Sequence, residues 1–150
     1  MVALDTDVLV LAFAFQRDAR QDANTRFLQA ARERTAVVAI YSIMEFLGQL
    51  SFNLSPERLL QWPVWLQDYY NLTILYPAAG DTDTTVFLQK ELVDRPLARM
   101  RQHPIPFLDA LILQLVEQAP GVDAFVTWNA RHFRNNTLLP VLTPAEYLAD

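Results

Sequence analysis

The chain has no cysteine, which removes zinc ribbons, thiol catalysis and disulfide scaffolds from consideration. Its three glycines, at positions 48, 80 and 121, leave no glycine-rich loop behind a strand, so dinucleotide and P-loop phosphate cradles are excluded. The two histidines, His103 and His132, fall outside spacings such as H-E-x-x-H and read as structural or surface residues. No G-x-S-x-G elbow supports a serine triad. The longest apolar run, residues 8 to 15, has eight positions, far short of the roughly 20 that span a bilayer. The amino terminus lacks a basic segment, so no secretory signal is readable. The expectation is a soluble cytoplasmic protein with no membrane partner. Lysine is nearly missing too: Lys90 stands alone beside eleven arginines. A net charge of −5 argues against a nonspecific nucleic-acid coat. Arginine nonetheless favours bidentate phosphate contacts, and net charge does not report where the charges sit.

What is present is globular. With 150 residues, 52% hydrophobic and 19% charged, the chain suits one domain burying about 70% of its unfolded surface. Short apolar, β-rich runs at 2–5, 36–40, 72–76 and 123–128 predict four strands. Helical patterns lie between them, over about 8–15, 21–34, from 41, 56–70, 82–95 and 106–119. Ser55 and Pro56 give a cap and a first helical position, while Pro63 predicts a kink or break. Thr143, Pro144 and Glu146 form a final helix start. Buried strands alternating with helices imply an α/β fold, with a mainly parallel sheet covered on both faces. In such sheets ligands bind beyond the carboxyl ends of the strands.

Carboxylates in apolar settings carry the remaining chemistry. Asp5 follows the first strand, Glu45 lies just after the second in SIMEFL, and Asp109 sits early in the helix PFLDALIL. Unit charges about 4 Å apart repel by about 4 kcal/mol at an effective dielectric of 20, so three such acids brought together need a cation. Hard oxygen ligands favour Mg²⁺ or Mn²⁺. Each acid also has a structural explanation. Ser42 and Glu45 fit a capping box, Asp109 suits a helix dipole, and Asp7 suits the cap of a helix beginning at Val8.

The order LDTDVLV, SIMEFLGQL, PFLDALILQL, VTWNARHF and VLTPAEYL resembles the PIN-domain ribonucleases, especially the VapC-like toxins of bacterial toxin–antitoxin pairs, over nearly the whole chain. The resemblance implies a three-layer α/β/α sandwich with one or two divalent cations at the carboxyl edge of its sheet. It casts Asp5, Glu45 and Asp109 as metal ligands. The fourth position falls on Asn129, which keeps an oxygen but supplies no charge and weakens the hold on a second ion. Thr6, Asp7 and Thr127 become supporting residues that orient the ligands. The implied reaction is hydrolysis of RNA by metal-activated water, leaving 5′-phosphate and 3′-hydroxyl ends. A cognate antitoxin and a homodimer are the implied protein partners. Arg99, Arg101 and Arg131, with Arg95, are expected to border the cleft and hold RNA phosphates. The aromatic group Trp62, Trp65, Tyr69 and Tyr70 reads as core packing or as a face for the antitoxin.

Two rival readings share these residues. One is a PIN-like module that binds RNA or protein without cutting. The other takes DTDVL as the D-x-D start of a haloacid-dehalogenase-type phosphatase, with Asp5 as nucleophile and Asp7 as general acid. That chemistry also needs a later acid pair and a helix lysine, and Lys90 is the one lysine present.

Overall fold

The computed structural model describes residues 1–149, with five strands among them. They are β1 (Val2–Leu4), β2 (Ala36–Ala39), β3 (Leu72–Leu75), β4 (Ala124–Val126) and β5 (Val141–Leu142). All pair in parallel, in the order β3-β2-β1-β4-β5. Every residue of β1, β2 and β4 is buried, as expected of inner strands covered on both faces. The edge strand β3 exposes Thr73. Four of the strands lie where the apolar runs predict them. The fifth has only two residues, too short to leave a pattern in the sequence.

Helices cover both faces. The first four are α1 (Thr6–Ala14), α2 (Gln21–Glu33), α3 (Ile40–Leu50) and α4 (Pro56–Tyr70). Next come α5 (Thr84–Gln89), a π-helical turn (Lys90–Asp94) and α6 (Arg95–Gln102). The series ends with α7 (Phe107–Gln118), α8 (Ala130–Phe133) and α9 (Pro144–Tyr147). Alternation along the strands sorts the apolar residues into two cores. Val2, Leu4 and Val38 pack with Leu9, Phe27 and Phe46 from α1, α2 and α3. Ala3, Val37 and Phe125 point the other way, against Ile112 and Val116 of α7 and Phe133 of α8. The result is a three-layer α/β/α sandwich. No helix among the described residues is long and apolar enough to cross a membrane.

Local signals behave as their chemistry requires, with two corrections. Ser55 caps α4, whose end is an Asn71 at φ 53°, a left-handed position that asparagine tolerates. The capping box of Thr143 and Glu146 is complete. Pro63, however, does not end α4, because Trp62, Leu66 and Tyr70 anchor the helix to the core on both sides of it. The aromatic group forms one cluster in which Trp62, Trp65 and Tyr70 all pack on Phe13 and Tyr69 stacks on Trp65, leaving Trp65 and Tyr69 39% and 47% exposed. Finally, the helix expected over 82–95 runs on to Gln102 through its π-helical turn.

That turn carries a buried acid, Glu91. Its carboxylate accepts from the Tyr41 hydroxyl at 2.9 Å and from Gln114 Nε2 at 2.6 Å. Arg95 stands 3.4 Å away. Burial, then the adjacent Glu91, pushes the Tyr41 phenol well above its usual range. Because Gln114 and Tyr41 would both lose their acceptor, Glu91→Ala is expected to destabilise the fold by about 3 kcal/mol in denaturant unfolding. A loss within 0.5 kcal/mol would show the network to be dispensable.

Candidate active site

The chain runs from β1 outward to β2 and β3, then returns to place β4 on the other side of β1. A crevice forms at such a switch point, beyond the carboxyl ends of the strands. Asp5 is the first residue past β1, and its N–H is tied to the carbonyl of Val126 at 3.0 Å. Thr127 is the first residue past β4, held by its own N–H to Leu142 at 3.0 Å. A cleft of about 180 Å³ opens there, lined by Asp5, Asp7, Glu45, Asp109 and Asn129. Val10 and Phe133 supply apolar wall, and Thr6 and Gln49 complete the polar lining. The four candidate ligands of the sequence therefore share one cleft.

Asp5 and Asp7 are joined through Thr127. The Thr127 hydroxyl lies 2.7 Å from Asp5 Oδ2 and 2.9 Å from Asp7 Oδ2, and it accepts the Asn129 N–H at 3.0 Å. A hydroxyl has one proton, so it serves only one carboxylate at a time. Asp5 also accepts from the Thr6 N–H at 2.7 Å and is itself the cap of α1. Asp7 is thus not the cap expected for a helix starting at Val8, since the helix starts two residues earlier. Its carboxylate instead accepts the Trp128 N–H at 3.1 Å and the Asn129 N–H at 3.0 Å, bolting α1 to the loop after β4. That loop is held by Trp128, whose indole N–H donates to buried Asn24 at 2.7 Å.

The capping box of Ser42 and Glu45 does not form either. Helix α3 begins at Ile40 with Ala39 as its cap, which leaves Glu45 in mid-helix and free to line the cleft. Asp109 does sit in the first turn of α7, as expected.

Uncompensated negative charge dominates the electrostatics. Burial first, and then the charge of Asp7, raises the Asp5 carboxyl well above the carboxylate range, against the hydrogen bonds from Thr127 and Thr6. Burial likewise raises Asp7, although Trp128, Thr127 and Asn129 oppose it. Asp109 is raised by burial and by the charges of Glu45 and Asp7, and lowered by His132. Among the described residues, no lysine or arginine forms an ion pair with Asp5, Asp7, Glu45 or Asp109.

The donor set suits a hard divalent cation. Every charged ligand is a carboxylate, and Thr6, which lines the cleft, has a buried Oγ1 without a hydrogen-bond partner. The acids are spread around the cleft, and among the described residues no group of three acidic or histidine side chains is arranged to hold a metal ion. Mg²⁺ commonly binds in that way, through one or two carboxylates and retained water.

Sequence reasoning passes over two residues. His132, set aside as structural, brings Nε2 to 3.4 Å from Asp109 Oδ2. Gln49 joins the cleft from α3. Helical spacing was the signal for both: His132 lies three residues beyond Asn129 and Gln49 four beyond Glu45. The arginines separate. Arg131 lines a groove beside the cleft, together with Asn129 and His132. Arg99 is engaged by Glu117 and the Asn136 carbonyl, while Arg101 is exposed on the last turn of α6. No protein-family model matches this chain, and no curated protein matches it by sequence.

Proposed function

We propose that this chain is a divalent-metal-dependent endoribonuclease of the PIN-domain kind. In this reading it is the toxin of a cytoplasmic toxin–antitoxin pair, working as a homodimer. The observation that carries the proposal is the convergence of Asp5, Glu45, Asp109 and Asn129 on one cleft at the switch point of a parallel sheet, where burial and neighbouring acids raise the Asp5 and Asp109 carboxyls.

Asp5, Glu45 and Asp109 would hold Mg²⁺ or Mn²⁺, one or two of them directly and the rest, like Asn129 and Asp7, through retained water. When bound, such an ion activates water and offsets the charge of the phosphodiester under attack. The protein's part is alignment. Thr127 holds Asp5 and Asp7 in register, and His132 Nε2 stands 3.4 Å from Asp109. Arg131 stands at the rim, where a phosphate entering the cleft would meet it. The exposed Leu60, Val64, Trp65 and Tyr69 of α4 offer an apolar face suited to a partner helix.

The phosphatase reading needs Asp7 to move a proton to the substrate and a lysine beside it. Asp7 is instead held by three donors, and the cleft lining includes no lysine.

The test is cleavage of single-stranded RNA in Mg²⁺ or Mn²⁺. The expected products carry 5′-phosphate and 3′-hydroxyl ends, and Asp109→Asn lowers the rate by about a hundredfold or more. Equal cleavage by wild type and variant would assign the activity to a contaminant or another site and overturn the proposal.

A further inference from the structure

The acid cleft is the end of a longer trough. Asn129 lines both the cleft and an adjoining groove of about 500 Å³ that also contains Arg131, His132, His103 and Asn135. His103 and Asn135 in turn line a third groove of about 780 Å³, which runs between α6, α7 and the loop after α8. Shared residues thus chain the three concavities edge to edge.

The lining has a distinct character. Gln102, Gln118 and Asn135 present exposed amides, and His103 an exposed imidazole. Leu138 stands wholly exposed on the far wall. Arg131 brings positive charge beside the cleft, while Arg95 lines the outer groove paired with buried Glu91 at 3.4 Å. Glu117 is the one acid lining the two outer grooves, and Arg99 neutralises it. On a chain of net charge −5, this trough is therefore a surface on which a polyanion meets no unpaired acid until it reaches the cleft.

We propose that the trough seats unpaired ribonucleotides flanking the phosphate that is cut, an inference that rests on the nuclease reading above. Arg131 meets the backbone beside the cleft, and Gln102, Gln118 and Asn135 meet base edges farther out. Two observations favour a single strand over a duplex. A cleft of about 180 Å³ whose Asp5 is nearly buried favours an unpaired backbone, which can bend a single phosphate inward, over a rigid duplex. In addition, amides and imidazole read base edges, whereas a duplex phosphate track needs many more cations than Arg131 and the Glu91-paired Arg95 supply. Arg99, braced to Glu117, supports the trough wall and is not a phosphate ligand.

The test is fluorescence anisotropy with a labelled 12-nucleotide single-stranded RNA and its duplex, using the full chain carrying Asp5→Asn so that the probe stays intact. Gln102→Ala/Asn135→Ala is expected to weaken single-strand binding by about tenfold. Arg131→Ala should lower the slope of log affinity against log salt by about one. Arg58→Ala, on α4 away from the trough, should change neither. Cross-links from 4-thiouridine RNA should map to residues 95–103 and 131–139. Unchanged affinity in the double variant, equal binding of duplex, or cross-links confined elsewhere would each overturn the inference. A complete lack of single-strand binding would do so as well and would point to a protein ligand. The two readings fail separately. If wild type does not cut RNA but the binding pattern holds, the nuclease is lost and the trough stands. If it cuts RNA while the trough variants bind and cut like wild type, the trough is lost and the nuclease stands.

Discussion

Asp5→Asn is expected to abolish RNA cleavage, by about a thousandfold or more, and at the same time to make the metal-free protein more stable than wild type. The two effects share one cause. Asp5 is 6% exposed, flanked by Asp7 and without a cationic partner among the described residues, so its ionised form is penalised in the fold. The penalty follows a definite pH course. A carboxyl whose folded pKa lies above its unfolded value takes nothing from stability below the unfolded value, about 3.8, where both states are protonated. The loss grows as pH rises towards the folded pKa and is constant beyond it. Thermal unfolding in EDTA should therefore show Asp5→Asn gaining on wild type from about pH 4 upward, by about 1 kcal/mol or more at neutrality. Adding Mg²⁺ should reverse the order, since an ion that binds only the folded wild type stabilises it by mass action. Asp109→Asn should behave alike with a smaller gain, because Asp109 is less buried and His132 stands beside it. An Asp5→Asn protein less stable than wild type across this whole pH range would refute the charge-repulsion account of the cleft.

Much of this geometry can be read in the chain, because the signals are local. Runs such as AVVA and AFV are buried on both faces, so composition alone marks them as inner strands of a parallel sheet. Asp5 follows such a run directly, and the carboxyl edge is where parallel sheets bind ligands. What stays illegible depends on neighbours distant in sequence. Whether Asp7 caps a helix or joins two loops turns on Thr127 and Trp128, about 120 residues away. Ser42 and Glu45 satisfy the capping-box spacing, yet β2 passes into α3 without a loop, so the helix starts before the box. Arg99 looks like any other basic residue until the fold brings Glu117 to it. His132 has no metal-ligand spacing in the sequence, because its neighbour in the cleft, Asp109, lies on another helix. Sequence spacing thus finds residues that share an element and misses those that meet across elements.

Thr127 concentrates this long-range dependence in one atom, and Thr127→Val is the sharpest test of it. The substitution keeps the shape and removes a buried hydroxyl that lies within hydrogen-bond distance of Asp5 and Asp7 and accepts from Asn129. With the hydroxyl gone, Asp5 loses one of its two donors, and Asp7 is left with backbone N–H groups alone. Both carboxyls should become still harder to ionise, because the hydrogen bonds that oppose burial are weakened. The expected result is a loss of about 2 kcal/mol in denaturant unfolding and a fall of about a hundredfold in RNA cleavage. Thr127→Ser restores the hydroxyl without the methyl group and should recover most of both. The readout that separates alignment from mere folding is the pH profile. If Thr127 acts by favouring the ionised acids, the acid limb of cleavage by Thr127→Val should move to higher pH, whereas a purely structural defect would lower the profile uniformly. A Thr127→Ser protein as impaired as Thr127→Val would show that the methyl packing matters and the shared proton does not.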